Sequence, residues 1–152
     1  MKFAEFLPGM VITAGPYKVL EAEVLQFAKS YDPQWFHADP VAATKGRFGG
    51  LIASGWHTCG IAMRLLADVA LHDSESFASP GLAYVKWPHP VRPGDALTVQ
   101  ATVLEARVAR SQPGMGFFAG AGRCITPWML RYWIWKLPAC STCPNNFTAS
   151  SP

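Results

Sequence analysis

Asp32 and His37 stand five positions apart in Tyr31-Asp32-Pro33-Gln34-Trp35-Phe36-His37-Ala38-Asp39-Pro40, a segment interrupted twice by proline. A carboxylate and an imidazole have unlike pKa values, so they can share one water, one group taking a proton while the other delivers one. Shortly downstream, Phe48-Gly49-Gly50-Leu51-Ile52-Ala53-Ser54-Gly55-Trp56-His57-Thr58 opens a strongly apolar run. A polar pair beside a buried helix suits acid/base chemistry on a substrate that must leave water.

The elements that position this pair follow from hydrophobic periodicity. Val11 to Leu20, broken by Gly15-Pro16, reads as an irregular edge strand. Glu21 to Tyr31 reads as an amphipathic helix with Val24, Leu25, Phe27 and Ala28 on its apolar stripe. Pro33 disfavours helical geometry in the residue before it, which puts Asp32 at a chain reversal and His37 on the loop that follows. Asp39-Pro40 caps a short helix through Ala43 that ends near Gly46. The run from Leu51 to Leu71 is apolar on nearly every side, the pattern of a long helix enclosed by other elements.

The second half is strand-like. Gly81 to Trp87 is an apolar-aromatic strand, and Pro93-Gly94-Asp95 is a turn. From Leu97 the period is two, with Leu97, Val99, Ala101 and Val103 on one face. At Val103-Leu104 the phase slips, which predicts a bulge where the strand bends around the helix.

Composition bounds the rest. The 152 residues are half hydrophobic and 15% charged, enough for one domain with a substantial core. Lys2, Glu5, Pro8 and Gly9 do not make a secretory signal, and His57, Arg64 and Asp68 interrupt the longest apolar run, so the expectation is a cytoplasmic protein without a membrane span. Ten basic and ten acidic residues cancel over residues 1–119, and the excess of +3 comes from Arg123, Arg131 and Lys136. Scattered cations of this kind do not form the basic face of a nucleic-acid binder. Trp128, Trp133 and Trp135 do not change that, because no organised groove accompanies them.

These pieces, taken in order with Pro90-Val91-Arg92-Pro93-Gly94-Asp95, resemble the MaoC-like, (R)-specific enoyl-CoA hydratases and acyl dehydratases of the hotdog fold across residues 5–118. The resemblance implies an α+β fold, an antiparallel sheet wrapped around a long buried helix. It implies that Asp32 and His37 activate the water that adds to a trans-2-enoyl-CoA, and that the backbone N–H of Gly55 faces the thioester oxygen. Such an N–H at a helix start stabilises an oxyanion without reorganising. Ser54, Trp35 and Phe48 then belong to the substrate site, Trp35 standing where the family often has proline. The implied assembly is a homodimer, and neither a metal nor a redox cofactor is called for, since coenzyme A is part of the substrate. A catalytically silent hotdog module that binds an acyl thioester or a partner subunit is the alternative. A thioesterase is disfavoured, because water attack on a thioester carbonyl does not call for this pair.

Other side chains have plainer readings. His57 is a satisfied core histidine, and His72 and His89 are surface residues. Arg47, Arg64 and Arg92 are candidates for the phosphates of coenzyme A, and solvated charges otherwise. Cys59 is a small core residue, and Cys140-Ser141-Thr142-Cys143 lacks the further ligands of a closed zinc site. Residues 120–152 contain no acid and are rich in breakers, so the hotdog domain is expected over 1–119. The remainder is expected to be an atypical tail, the product of a shifted reading frame, in place of the last strands.

Overall fold

The computed structural model describes residues 1–74, 81–108, 116–126, 129–130 and 133–139. Six strands, β1 (Val11–Lys18), β2 (Gly81–Tyr84), β3 (Ala96–Val108), β4 (Gly116–Thr126), β5 (Met129–Leu130) and β6 (Trp133–Ala139), form one sheet. Its order is β1-β3-β4-β6-β2, with β5 paired to the end of β4 and every pairing antiparallel. Four helices, α1 (Glu21–Tyr31), α2 (Trp35–Ala38), α3 (Pro40–Thr44) and α4 (Gly55–Leu66), lie between β1 and β2 in the chain, and a wider turn, Ala67–Leu71, prolongs α4.

The edge strand is irregular where the sequence says it should be. The pairing of β1 with β3 shifts between Ala14 and Tyr17, around Gly15-Pro16. Gly15 has φ +116°, and a Cβ there would sit 2.6 Å from the carbonyl oxygen of Leu97. Only glycine combines that backbone conformation with so close an approach. On β3, Leu97, Val99 and Val103 are buried, and the register against β4 slips between Val103 and Glu105, next to the predicted phase change. The slip sets Leu104 outward, while Ala106, like Phe3 and Met10, packs against a satellite cluster of Phe6, Ala70 and Val103.

The core is a layer of α4 against β1 and β3. Ile61 joins Val19, Val24, Ala43, Leu51, Ala53 and Leu97, while Ala62 and Leu66 pack on Val99 with Cys124 beside them. Two expectations for the long helix need correction. It begins at Gly55, because Leu51–Ser54 is an extended, fully buried segment. An apolar run reads alike for a buried extended chain and a buried helix, and here the backbone bonds of residues 52 and 53 to other segments decide for extension. Nor is α4 enclosed on every side: Trp56, 57% exposed, and Met63 two turns on lie on its outer face, which one sheet cannot cover.

Three further expectations are revised. His37 is carried by the single turn α2 rather than by a loop. The turn is allowed because Pro33 constrains only the residue before it, and α2 starts after the extended Gln34. β2 ends at Tyr84 instead of Trp87, as the prolines at 88 and 90 lead the chain out of the ladder. The expected boundary at residue 120 falls inside β4, and β6 pairs with both β4 and β2, so the sheet continues into the acid-free region. Trp128 and Cys140-Ser141-Thr142-Cys143 lie outside the described residues.

Leu97 is fully buried at the centre of the largest cluster. Leu97→Ala is expected to cost about 2–5 kcal/mol in denaturant unfolding, and Leu104→Ala, on the exposed side of the bulge, within about 0.5 kcal/mol.

Candidate active site

Asp32 is the C-cap of α1, its N–H bonded to the carbonyl of Ala28. The turn places its carboxylate beside α2 and the start of α4. His37 on α2 is 6% exposed, and its Nδ1 lies 2.7 Å from the carbonyl oxygen of Ile52. A carbonyl only accepts, so Nδ1 carries the proton and Nε2 is the free atom. That Nε2 stands 3.5 Å from Oδ2 of Asp32. The five-residue spacing thus delivers a facing carboxylate and imidazole.

Ile52 holds both sides of this arrangement. Its N–H donates to the carbonyl of Phe36 while its own carbonyl accepts from His37, and Ala53 N–H donates to Val91. The segment Leu51–Ser54 is therefore fixed between α2 and the loop before β3. Ser54, 1% exposed, then donates from Oγ to Asp32 Oδ2 at 2.6 Å and accepts from the N–H of Trp56 at 3.3 Å. One hydroxyl caps α4 and orients the carboxylate.

Gln34 fixes the other oxygen of Asp32, donating from Nε2 to Oδ1 at 2.8 Å. Burial pushes the Asp32 carboxyl up, but the hydrogen bonds from Ser54 and Gln34 outweigh it, with a further lowering from His37 only when that ring is protonated, and hold the group below its ordinary value of 3.8. Asp32 is ionised at neutral pH.

The pair opens into a cavity of about 440 Å³ whose walls include Phe36, Phe48, Ile52, Gly55, Trp56 and Leu97. Of the sequence candidates, Asp32, His37, Ser54, Gly55 and Phe48 meet there. Trp35 does not line it: the indole packs over Gly46 and edge-on against Phe36, 5.3 Å between centroids, so the ring supports the wall from outside. Gly55 is the first residue of α4, where backbone N–H groups have no partner within the helix.

The cationic candidates separate. Arg92 donates from Nη2 to the carbonyl of Phe48 at 2.5 Å and its backbone N–H bonds Asp95, which makes it a brace between the Phe48 loop and the turn. Arg64 pairs with Asp68 one turn on at the surface, and Arg47 lies over the Phe48 ring. His89, expected at the surface, is exposed and also lines the cavity, as do Lys86 and Trp87. His57 is buried but not satisfied: its ring stacks on Phe27 at 4.9 Å, its Nδ1 has no hydrogen-bond partner among the described residues, and burial lowers its pKa.

Sequence reasoning missed the roles of Gln34, Trp87 and Cys124. Gln34 stood inside the quoted motif, and its spacing of two from Asp32 was the available signal. Cys124 enters the cavity wall from β4, which nothing local announces. Burial raises its thiol to about 12 and that of Cys59 to about 11, so both stay protonated.

The MaoC-like domain model matches residues 4–115, about three quarters of the chain. The chain belongs to the MaoC-like domain family. Its similarity to YdeM of Bacillus subtilis (strain 168), itself uncharacterised, is 33% identity over 115 residues, covering 76% of this chain and 82% of that one. The crystal structure of a MaoC-like dehydratase from Rhodospirillum rubrum is similar with TM-score 0.82 and 32% identity over 93% of this chain and 97% of that one. The R-hydratase PhaJ1 from Pseudomonas aeruginosa shares the fold, with TM-score 0.74 and 20% identity over 93% and 86% of the chains. The MaoC-like chain is thus an α+β hotdog, of the family that holds hydratases and dehydratases. The expected fold and family stand. No helix among its described residues is long and apolar enough to cross a membrane.

Ser54→Ala removes the cap of α4 and a donor to Asp32 together. It is expected to lower stability by about 1–2 kcal/mol in thermal or urea unfolding. The variant is also expected to raise the carboxyl pKa of Asp32 in a carbon-13 NMR titration. Because that pKa is depressed only in the folded chain, its stabilisation is present above the ordinary value of 3.8 and lost as pH falls through the lower folded value. Wild-type stability should therefore fall more steeply than that of Ser54→Ala in that acid window.

Proposed function

We propose that this MaoC-like chain adds water to a trans-2-enoyl-CoA, or removes it in reverse, through a water shared by Asp32 and His37. The observation that carries the reading is the 3.5 Å approach of His37 Nε2 to Asp32 Oδ2, with Nδ1 anchored on Ile52, in a cavity with apolar walls. An ionised carboxylate and an unprotonated Nε2 are both acceptors. One water donates a hydrogen to each and turns its lone pair outward.

The steps balance on those two groups. The water oxygen bonds to C3 of the enoyl group as His37 Nε2 takes one proton, and the C2–C3 π electrons move toward the thioester carbonyl. Asp32 holds the second O–H, which becomes the product hydroxyl, and stabilises the imidazolium. Gly55 N–H meets the charge on the thioester oxygen, as a donor fixed at a helix start can. The imidazolium returns its proton to C2. Ser54 orients the carboxylate, and Phe48 lies along the acyl group. The reaction needs no metal or redox cofactor, coenzyme A belonging to the substrate.

The working unit is a homodimer in this reading. Trp56 and Met63 on the open face of α4 support it, since exposed large apolar groups at helical spacing call for cover. The acid-free composition of residues 120–152 supports a shifted reading frame. An uninterrupted frame in the source DNA through codons 110–152 would count against a sequence error.

The decisive assay is loss of the conjugated-thioester absorbance on mixing with crotonyl-CoA. The wild type should turn over, and Asp32→Asn and His37→Gln should each lower kcat by about 10²–10⁴ while remaining folded. No turnover by a folded wild type across acyl lengths moves the assignment to a silent acyl-thioester-binding module.

A further inference from the structure

Trp87 lies after β2, immediately before Pro88, and it lines the cavity while 45% exposed. Its indole lies against the first turn of α4. A Cβ built on Gly55 would stand 2.5–2.7 Å from Cε2, Cδ2 and Nε1 of the ring, so no other residue at 55 fits under it. Trp56 meets the ring edge-on, 5.1 Å between centroids and 73° between planes, and the Cys59 thiol is a further neighbour of the ring. Trp87 thus lies over Gly55 at the first turn of α4, while Trp56 meets it only by an edge and stays largely exposed.

What lies behind the ring is apolar. Cys59 and Val85 pack with Cys124 around Ala62, Leu66 and Val99. Cys124 belongs to the cavity wall, whereas Cys59 and Val85, in the same apolar cluster, are not among the residues that line it. A rigid indole held on three neighbours cannot yield to a substrate without giving up those contacts.

We infer that Trp87 sets the acyl length that the site accepts: its ring ends the cavity beside Gly55, restricting the MaoC-like site to a short acyl thioester. An apolar path toward Val85 and Cys59 opens only when the ring is removed. The inference rests on the hydratase reading for its substrate class. A hydrophobic wall that has no room for added methylenes discriminates by about tenfold or more for each.

The test compares trans-2-decenoyl-CoA with crotonyl-CoA by their ratio of kcat/KM, in wild type, Trp87→Ala and Trp87→Leu. Thermal unfolding first identifies which variants are folded, and Trp87→Leu keeps apolar cover for α4 should the alanine variant fail. The wild type should favour crotonyl-CoA by at least about tenfold, and a folded variant should move the ratio toward decenoyl-CoA by at least about tenfold. A wild type that handles both equally, or a folded variant with an unchanged ratio, overturns the inference. If the wild type turns over neither substrate, the hydratase reading fails. The role of Trp87 is then decided by the ratio of calorimetric Kd values for butyryl-CoA and decanoyl-CoA, which should move in the same direction, and an unmoved ratio overturns it.

Discussion

The hydroxyl of Ser54 is the point on which the site depends. Its donation to Asp32 and its acceptance from the N–H of Trp56 tie the end of α1 to the start of α4, across 22 positions of sequence. Without it, the carboxylate loses one of its two protein donors and the helix loses its cap. Because Ser54 is buried, water cannot replace either bond at little cost. The placement of Ser54 depends in turn on the extended segment before it, pinned at Ile52 to α2 and at Ala53 to Val91.

This arrangement explains how an ionised carboxylate is kept beside apolar walls. Burial alone would push Asp32 toward its neutral form, and two directed hydrogen bonds reverse that tendency. His37 is treated differently: its Nδ1 is fixed to a backbone carbonyl, so the ring has one orientation and one free nitrogen. The two groups are thus set apart in role by their partners rather than by their residue types. Cys124 shares the cavity but has no such partners among the described residues, and burial keeps its thiol protonated.

The sheet supplies rigidity at a distance. The bulge around Gly15-Pro16 and the slip after Val103 bend β1 and β3 along α4, while the turn at Gly94 bonds both backbone groups of Val19, through Gly94 N–H and the Asp95 carbonyl. Arg92, at that same turn, reaches back to Phe48. The wall of the cavity and the register of the sheet are therefore fixed together. The outer face of α4 has no such support within the described residues of one chain.

Much of this was legible in the residues. Period two with a phase change gave β3 and its slip, Asp39-Pro40 gave the cap of α3, and the Asp32–His37 spacing gave a carboxylate and an imidazole that face each other, because these are signals local to a few neighbours. The start of α4 was not legible in the apolar run, though the family resemblance put Gly55 there, and the extent of the strands beyond residue 119 and the support role of Trp35 were not legible at all. Apolar runs do not distinguish buried extended chain from helix, and an odd composition does not forbid backbone pairing. Residue types and their spacing were enough to mark the candidate acid/base groups and the apolar faces, since both are properties of side chains along the chain. That Ser54 and Gln34 hold the carboxylate charged, that His37 presents Nε2 and that Trp87 stands over Gly55 came only with the folded chain. Those outcomes depend on distances between segments far apart in the chain, and no local pattern encodes such distances.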